Sequence, residues 1–192
     1  DDIAYTNKDG DEFIAYTMIG AVQKNVGSVN EDFSLTNDII TNRIITVTKS
    51  GNNISDYNDL SGKKLAVVTD IAKAALDKNA TIKNNNKNTL YPTIEDALSA
   101  LDNGSVDAVI TDEFNFSPLE NAEKYQVLNG ELDKISYAFM FKKSDWVVEN
   151  WNEAIYELKS PDYNDKDEFT PMVEKYFGYN ASSFDYVPSK TK

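Results

Sequence analysis

The feature that most limits the fold is the order of apolar runs and amphipathic helices between residues 64 and 111. Residues 64–69 read Lys-Leu-Ala-Val-Val-Thr, a short run apolar enough to be a buried strand. Residues 71–78 read as a helix, with Asp70 placed to cap it. A second helix opens at Pro92-Thr93 with Thr93 as its N-cap. Ile94, Ala97, Leu98 and Leu101 fall on one face of it, and Gly104 supplies the left-handed stop. Residues 106–111 form a further short apolar strand. Strands alternating with helices in this way predict a β-α-β-α-β run and a parallel sheet. Residues 83–88, almost all Asn and Lys, read as a solvated loop.

The flanking segments are of mixed clarity. Residues 3–6 and 13–17 are β-prone runs on either side of Asp9-Gly10, which predicts a hairpin with Gly10 at positive φ. Residues 18–32 are open between a short helix and a strand end with a loop. A strand follows at 41–48, rich in Ile, Val and Thr, and one helical turn at 56–60. Beyond the central run come a short helix near 118–124 and strands at 125–128 and 136–141. Ser144 caps a long helix with Val147, Trp151, Ala154, Ile155 and Leu158 on its buried face. Thr170 and Pro171 open the last helix as N-cap and first residue, and Gly178 closes it.

Composition then narrows the chemistry. The chain has 192 residues, the size of one domain or two small lobes, and a formal charge of −13. That charge repels nucleic acid and anionic lipid. No apolar run is long enough to span a bilayer, and the opening residues carry no leader-like pattern. Cysteine and histidine are both absent, which removes thiolate chemistry, imidazole metal sites and Ser-His-Asp hydrolysis. Arg43 is the one arginine. Binding is favoured over catalysis, and no cofactor fingerprint is present. Asp162, Asn164, Asp165, Asp167 and Glu168 lack the glycine and spacing of a calcium loop and read as a solvated acidic loop. Tyr125, Tyr137, Trp146 and Trp151 read as packing residues. Phe114 and Phe116 stand apart because they follow Asp112.

Five pieces in order carry a family resemblance. They are Ile54-Ser55 ahead of Asp59-Leu60-Ser61-Gly62-Lys63-Lys64-Leu65-Ala66-Val67, then Tyr91-Pro92-Thr93-Ile94-Glu95-Asp96-Ala97-Leu98, then Gly104-Ser105-Val106-Asp107-Ala108-Val109-Ile110-Thr111-Asp112. Ser136-Tyr137-Ala138-Phe139-Met140-Phe141 and Tyr176-Phe177-Gly178 complete the set. Over about residues 33–179 the chain resembles the family 3 extracellular solute-binding proteins, the amino-acid receptors of ABC importers. The resemblance implies an α/β, type 2 periplasmic-binding-protein-like clamshell of two lobes that close on a ligand by hinge motion. Residues 1–48 and 136–192 would form an abbreviated first lobe and 49–135 the second. It further implies a non-catalytic, monomeric protein outside a bacterial cell, with a small amine-bearing ligand and an ABC permease as partners.

The departures from the family bear on the ligand. Against the family's order of elements the first lobe is abbreviated, and two alignments of the start stand side by side: residues 18–27 as the family's first helix, or 13–20 as a later strand. Either way the hydroxyl and arginine that clamp a ligand carboxylate are replaced by Lys24, Asn25, Val26 and Gly27. Arg43 is a candidate substitute. The second clamp, a Gly-Thr turn, is replaced by Thr69-Asp70-Ile71, where Asp70 would sit in the anion site of a helix N-terminus. Asp112, after Thr111, matches the family carboxylate that binds a ligand ammonium. An aspartate just after a strand also caps the next helix. The ligand-binding candidates are therefore Asp112, Thr111, Thr69, Asp70, Phe114 and Arg43. The alternative is a fold reused without a small ligand, in an adhesive, sensory or structural role.

Overall fold

Strands that are apolar on both faces need cover on both faces, and the way the chain provides it is set out in a computed structural model. It describes residues 3–6, 10, 12–15, 17–24, 33–119, 121–142, 145–160 and 169–177. In chain order the described strands are β1 (Ile3–Thr6), β2 (Glu12–Ala15), β3 (Thr17–Gln23), β4 (Phe33–Leu35), β5 (Ile40–Lys49), β6 (Lys64–Val67), β7 (Lys87–Leu90), β8 (Ala108–Asp112), β9 (Tyr125–Val127) and β10 (Asp133–Lys142). The helices are α1 (Asp70–Lys78), α2 (Ala80–Asn85), α3 (Ile94–Asp102), α4 (Glu113–Phe116), α5 (Asp145–Lys159) and α6 (Phe169–Phe177). They fall into two units. Unit 1 comprises Asp1–Thr41, Ile135–Glu174 and Asn180–Lys192, and unit 2 comprises Asn42–Lys134 and Lys175–Tyr179.

In unit 2, β6 lies parallel to both β7 and β8, while β5 runs antiparallel to β8 and carries β9 on its other part. Alternation along the strands sends Ile45, Val47, Ala66 and Val109 to one face, where Ile94, Ala97, Leu98 and Leu101 of α3 cover them. The predicted face of α3 is the buried one, Thr93 Oγ1 accepts from the Asp96 amide at 3.1 Å, and Gly104 sits at φ 78°. Each valine, leucine and isoleucine on these faces contributes about 1.5–3 kcal/mol when taken out of water. On the opposite side α1 packs on β8 through buried Ala72, Ala75 and Leu76. Leu60, at the end of the turn Tyr57–Leu60, is fully buried.

Three local expectations are corrected in this unit. Thr69, not Asp70, caps α1: its extended backbone lets Oγ1 accept from the Ala72 amide at 3.2 Å, and Asp70 becomes the first helical residue. Residues 83–88 are not a loop but the end of α2 and the start of β7. Asn79 caps α2 through its bond from the Ile82 amide, and Asn86 Nδ2 donates to the Ile82 carbonyl at 2.6 Å. β7 is exposed throughout; pairing with β6 uses only backbone groups, so its side chains can be polar. Between β8 and β9 the α-helix starts earlier than expected, as α4, because Asp112 caps it. Residues 122–124 form only a 3-10 turn. Phe116 is therefore a core residue, packed edge-on against Tyr125 at 6.3 Å, and does not reach toward a ligand.

Unit 1 contains the predicted hairpin, with Tyr5 opposite Phe13 and Gly10 at φ 88°. Residues 17–23 form β3, antiparallel to β10 with Val22 opposite Ala138, which overturns the helical alternative over 18–23. β4 pairs with β10 as well, Ser34 opposite Phe141. The buried stripe of α5 passes through Ile155 and Lys159, while Ala154 is exposed and Trp151 is 40% exposed beside Phe139 and Phe141. The helix is turned from the expected face because polar anchors compete with apolar ones. Asn152 Oδ1 accepts from the Asn37 amide at 2.6 Å, and Lys159 donates to the Asp38 carbonyl while lying 4.8 Å over the Phe169 ring. α6 begins at Phe169, which is buried, so Thr170 and Pro171 are its second and third residues. Ser144, Gly178, Asn25, Val26, Gly27 and the acidic loop 162–168 lie outside the described residues.

Asp38 is the polar hub of unit 1. Burial pushes its carboxyl up, but the hydrogen bonds from Lys24, at 2.6 Å, and Ser136 together with the charges of Lys24 and Lys159 outweigh that and leave it below its ordinary 3.8. A carboxyl lowered on folding contributes stability above its ordinary value and loses it as pH falls through the folded value. The stability gap between the native chain and Asp38→Asn is expected to be wide at about pH 7 and to shrink at about pH 3. Urea unfolding at the two pH values measures it.

Candidate functional site

Ligands of open α/β sheets bind where parallel strands end and helices begin. In unit 2 that edge is the end of β6 and β8 and the start of antiparallel β5. The pairing of Ile44 with Asp112 sets Asn42 and Arg43 beside the end of β8, and the pairing of Val67 with Ile110 brings Thr69 and Asp70 to the same edge. Arg43, Thr69, Asp70, Thr111, Asp112 and Phe114 thus share one sheet edge, although they are spread over 72 positions of sequence.

Their side chains are differently engaged. Asp112 is 1% exposed. Its Oδ1 accepts from Asn42 Nδ2 at 3.0 Å and from the Asn115 amide at 3.2 Å, and its Oδ2 accepts from Asn115 Nδ2 at 2.7 Å. Asn42 Oδ1 in turn accepts from the Phe114 amide at 3.2 Å. Asp112 is thereby the N-cap of α4, and Phe114 is half-buried just beyond it. Arg43 makes a two-pronged pair with Glu113: Nε donates to Oε2 at 2.9 Å and a terminal nitrogen to Oε1 at 2.5 Å. The Glu113 side chain is 6% exposed and that of Arg43 30%. Adjacent residues of β5 therefore hold adjacent residues at the end of β8.

Thr69 is occupied as a cap, and Asp70 is exposed in the first turn of α1. Thr111 is fully buried with its hydroxyl unmatched among the described residues. Alternation along β8 sends it to the α3 side with Val109, away from Asp112. Near Arg43 lies Tyr57, whose phenol is pushed up by burial and by the Glu131 charge against the opposing Thr46 hydroxyl and Arg43, so it stays neutral. The edge carries three carboxylates, Asp70, Asp112 and Glu113, and one guanidinium. A separate concavity of about 430 Å³ beside α3, bordered by Glu95, Leu98, Asp102, Leu119 and Tyr125, includes none of the six expected residues. Two of its polar groups are engaged with each other, Tyr125 Oη donating to Asp102 Oδ2 at 3.0 Å.

No protein-family model matches the chain, and no curated protein does. Solved structures do match. A polar amino acid ABC uptake transporter substrate-binding protein from Streptococcus thermophilus is similar at a TM-score of 0.63 and 22% identity, over 80% of this chain and 62% of that one. The fold is that of the type 2 periplasmic binding proteins. An ABC uptake transporter substrate-binding protein from Streptococcus pneumoniae, with bound histidine, is similar at 0.56 and 25% identity over 83% and 66%. The GluR0 ligand-binding core from Nostoc punctiforme, in complex with L-glutamate, is similar at 0.55 and 20% identity over 85% and 74%. The chain spans less than two thirds of the length of the two transporter proteins, in line with the reduced first lobe expected from the motif order.

Within this fold, sequence reasoning missed Asn42, Glu113 and Asn115. Glu113 and Asn115 sit one and three residues after Asp112, and the second spacing is that of a cap and its helix. Asn42 and the partner of Arg43 were hidden because they depend on the β5–β8 register, which one sequence does not display. No helix of the described residues is long and apolar enough to cross a membrane.

Proposed function

We propose that the chain is a non-catalytic solute-binding domain of the ABC-importer type, acting outside the cell and delivering a small amine-bearing ligand, such as an amino acid, to a permease. Residues 1–48 and 136–192 are taken as its first lobe and 49–135 as its second. The supporting observation is the set of carboxylates on the C-terminal sheet edge of a fold whose solved relatives hold histidine and L-glutamate. Asp112 is the proposed ammonium acceptor. Its Oδ2 receives one side-chain bond, from exposed Asn115, and a ligand ammonium takes that place when the Asn115 amide swings out. Thr69, Asp70, Phe114 and Arg43 complete the proposed surroundings, while Thr111, buried on the α3 side of β8, is left out of them.

A second reading is favoured by the same bonds. Asp112 is buried with three internal donors and Arg43 is paired with Glu113, as in a fold reused without a small ligand. A thermal-shift screen of amino acids, polyamines and short peptides separates the two. Binding to the folded state alone raises stability by about 2.7 kcal/mol at 100 times Kd. A clear rise with one amine class is expected. A flat response across all three classes selects the reuse reading.

A further inference from the structure

We propose that Glu113 determines the class of ligand at this edge: by holding Arg43 it excludes ligands with a carboxylate and leaves amines without one. The inference rests on the solute-binding reading and narrows it. An amino acid brings two charges and needs a cation for its carboxylate. The only guanidinium of the chain stands at the edge, and its Nε and one terminal nitrogen are given to Glu113, whose charge neutralises it. For a ligand carboxylate to take that place, Glu113 must give up its partner while its own side chain is 6% exposed, which leaves a buried carboxylate unpaired. The exchange gives back no more than it removes.

The remaining charges act in the same direction. With Glu113 neutralising Arg43, Asp70 in the first turn of α1 and Asp112 at the end of β8 leave the edge negative. Asp70 lies where a helix N-terminus would otherwise favour an anion. A free carboxylate meets repulsion here and an ammonium meets attraction. The chemistry fits a mono- or diamine rather than a zwitterion.

The test uses a matched pair of probes, L-lysine and its decarboxylated counterpart cadaverine. Both are titrated by calorimetry into the native chain, into Glu113→Gln, and into the double variant Arg43→Gln with Glu113→Gln. Circular dichroism checks each protein for folding. The native chain is expected to prefer cadaverine by about tenfold or more. Glu113→Gln takes the neutralising charge away from the guanidinium and gains lysine affinity by about tenfold, and the double variant loses that gain. Should Glu113→Gln not fold, Glu113→Asp retracts the carboxylate by one methylene and gives a smaller gain. A native preference for lysine, or a preference that Glu113→Gln leaves unchanged, overturns the inference while the solute-binding reading stands. Absence of binding by either probe and by the wider amine screen overturns both.

Discussion

Alanine at position 112 is expected to lower stability by about 2–4 kcal/mol and to abolish stabilisation by amines. The stability loss has two sources. α4 loses its cap, worth about 1 kcal/mol. The buried Asn42 amide loses its acceptor, and an unmatched buried polar group costs about 1–3 kcal/mol. Asparagine at the same position separates structure from function. Its side-chain oxygen can keep the bonds from Asn42 and the Asn115 amide, and exposed Asn115 can turn its own amide away. Asp112→Asn should therefore lose about 1 kcal/mol or less while amine binding disappears with the charge. Urea unfolding together with ligand titration measures both properties. Amine binding unchanged in Asp112→Asn would place the ammonium site elsewhere.

The second large effect is at Arg43. Replacing it with glutamine leaves the Glu113 carboxylate almost buried without a cation. Breaking a wholly buried pair in this way costs about 3–5 kcal/mol. Arg43 retains 30% side-chain exposure, so solvent reaches the pair and about 2–3 kcal/mol is the expected loss. Glu113→Gln should cost less, because a neutral amide is left in the buried position and the charged guanidinium is the group with access to water. In a double-mutant cycle the two replacements are expected to be non-additive by at least about 1 kcal/mol. Additive losses in urea unfolding would mean that the pair contributes little beyond its separate side chains.

Both effects turn on contacts between strands, and this is where the sequence was least legible. The α3 face, Thr93 and Gly104 were readable because a 3.6-residue period, a cap and a positive-φ glycine are local signals. The same holds for the Gly10 hairpin and the turn before Leu60. Thr69 and Asp70 were confused by one position because both are good caps and only backbone conformation decides between them. The loop expected at 83–88 failed for a different reason: an exposed edge strand has no apolar period to reveal it. On α5, apolar spacing alone pointed to Ala154, whereas Lys159 and Asn152 anchor the helix through polar bonds that spacing ignores. At the candidate edge, Asp112 and Arg43 could be named from motif and rarity. Their partners Asn42 and Glu113 required the register of β5 against β8.

The most direct test of a solute site on the edge formed by β5, β6 and β8 is an amide-shift titration of the labelled native chain with cadaverine by NMR. The account predicts saturable shifts that cluster at Asn42, Arg43, Thr69, Asp70 and residues 112–115. Shifts confined to the concavity beside α3, or none that saturate at about 10 mM ligand, would contradict it.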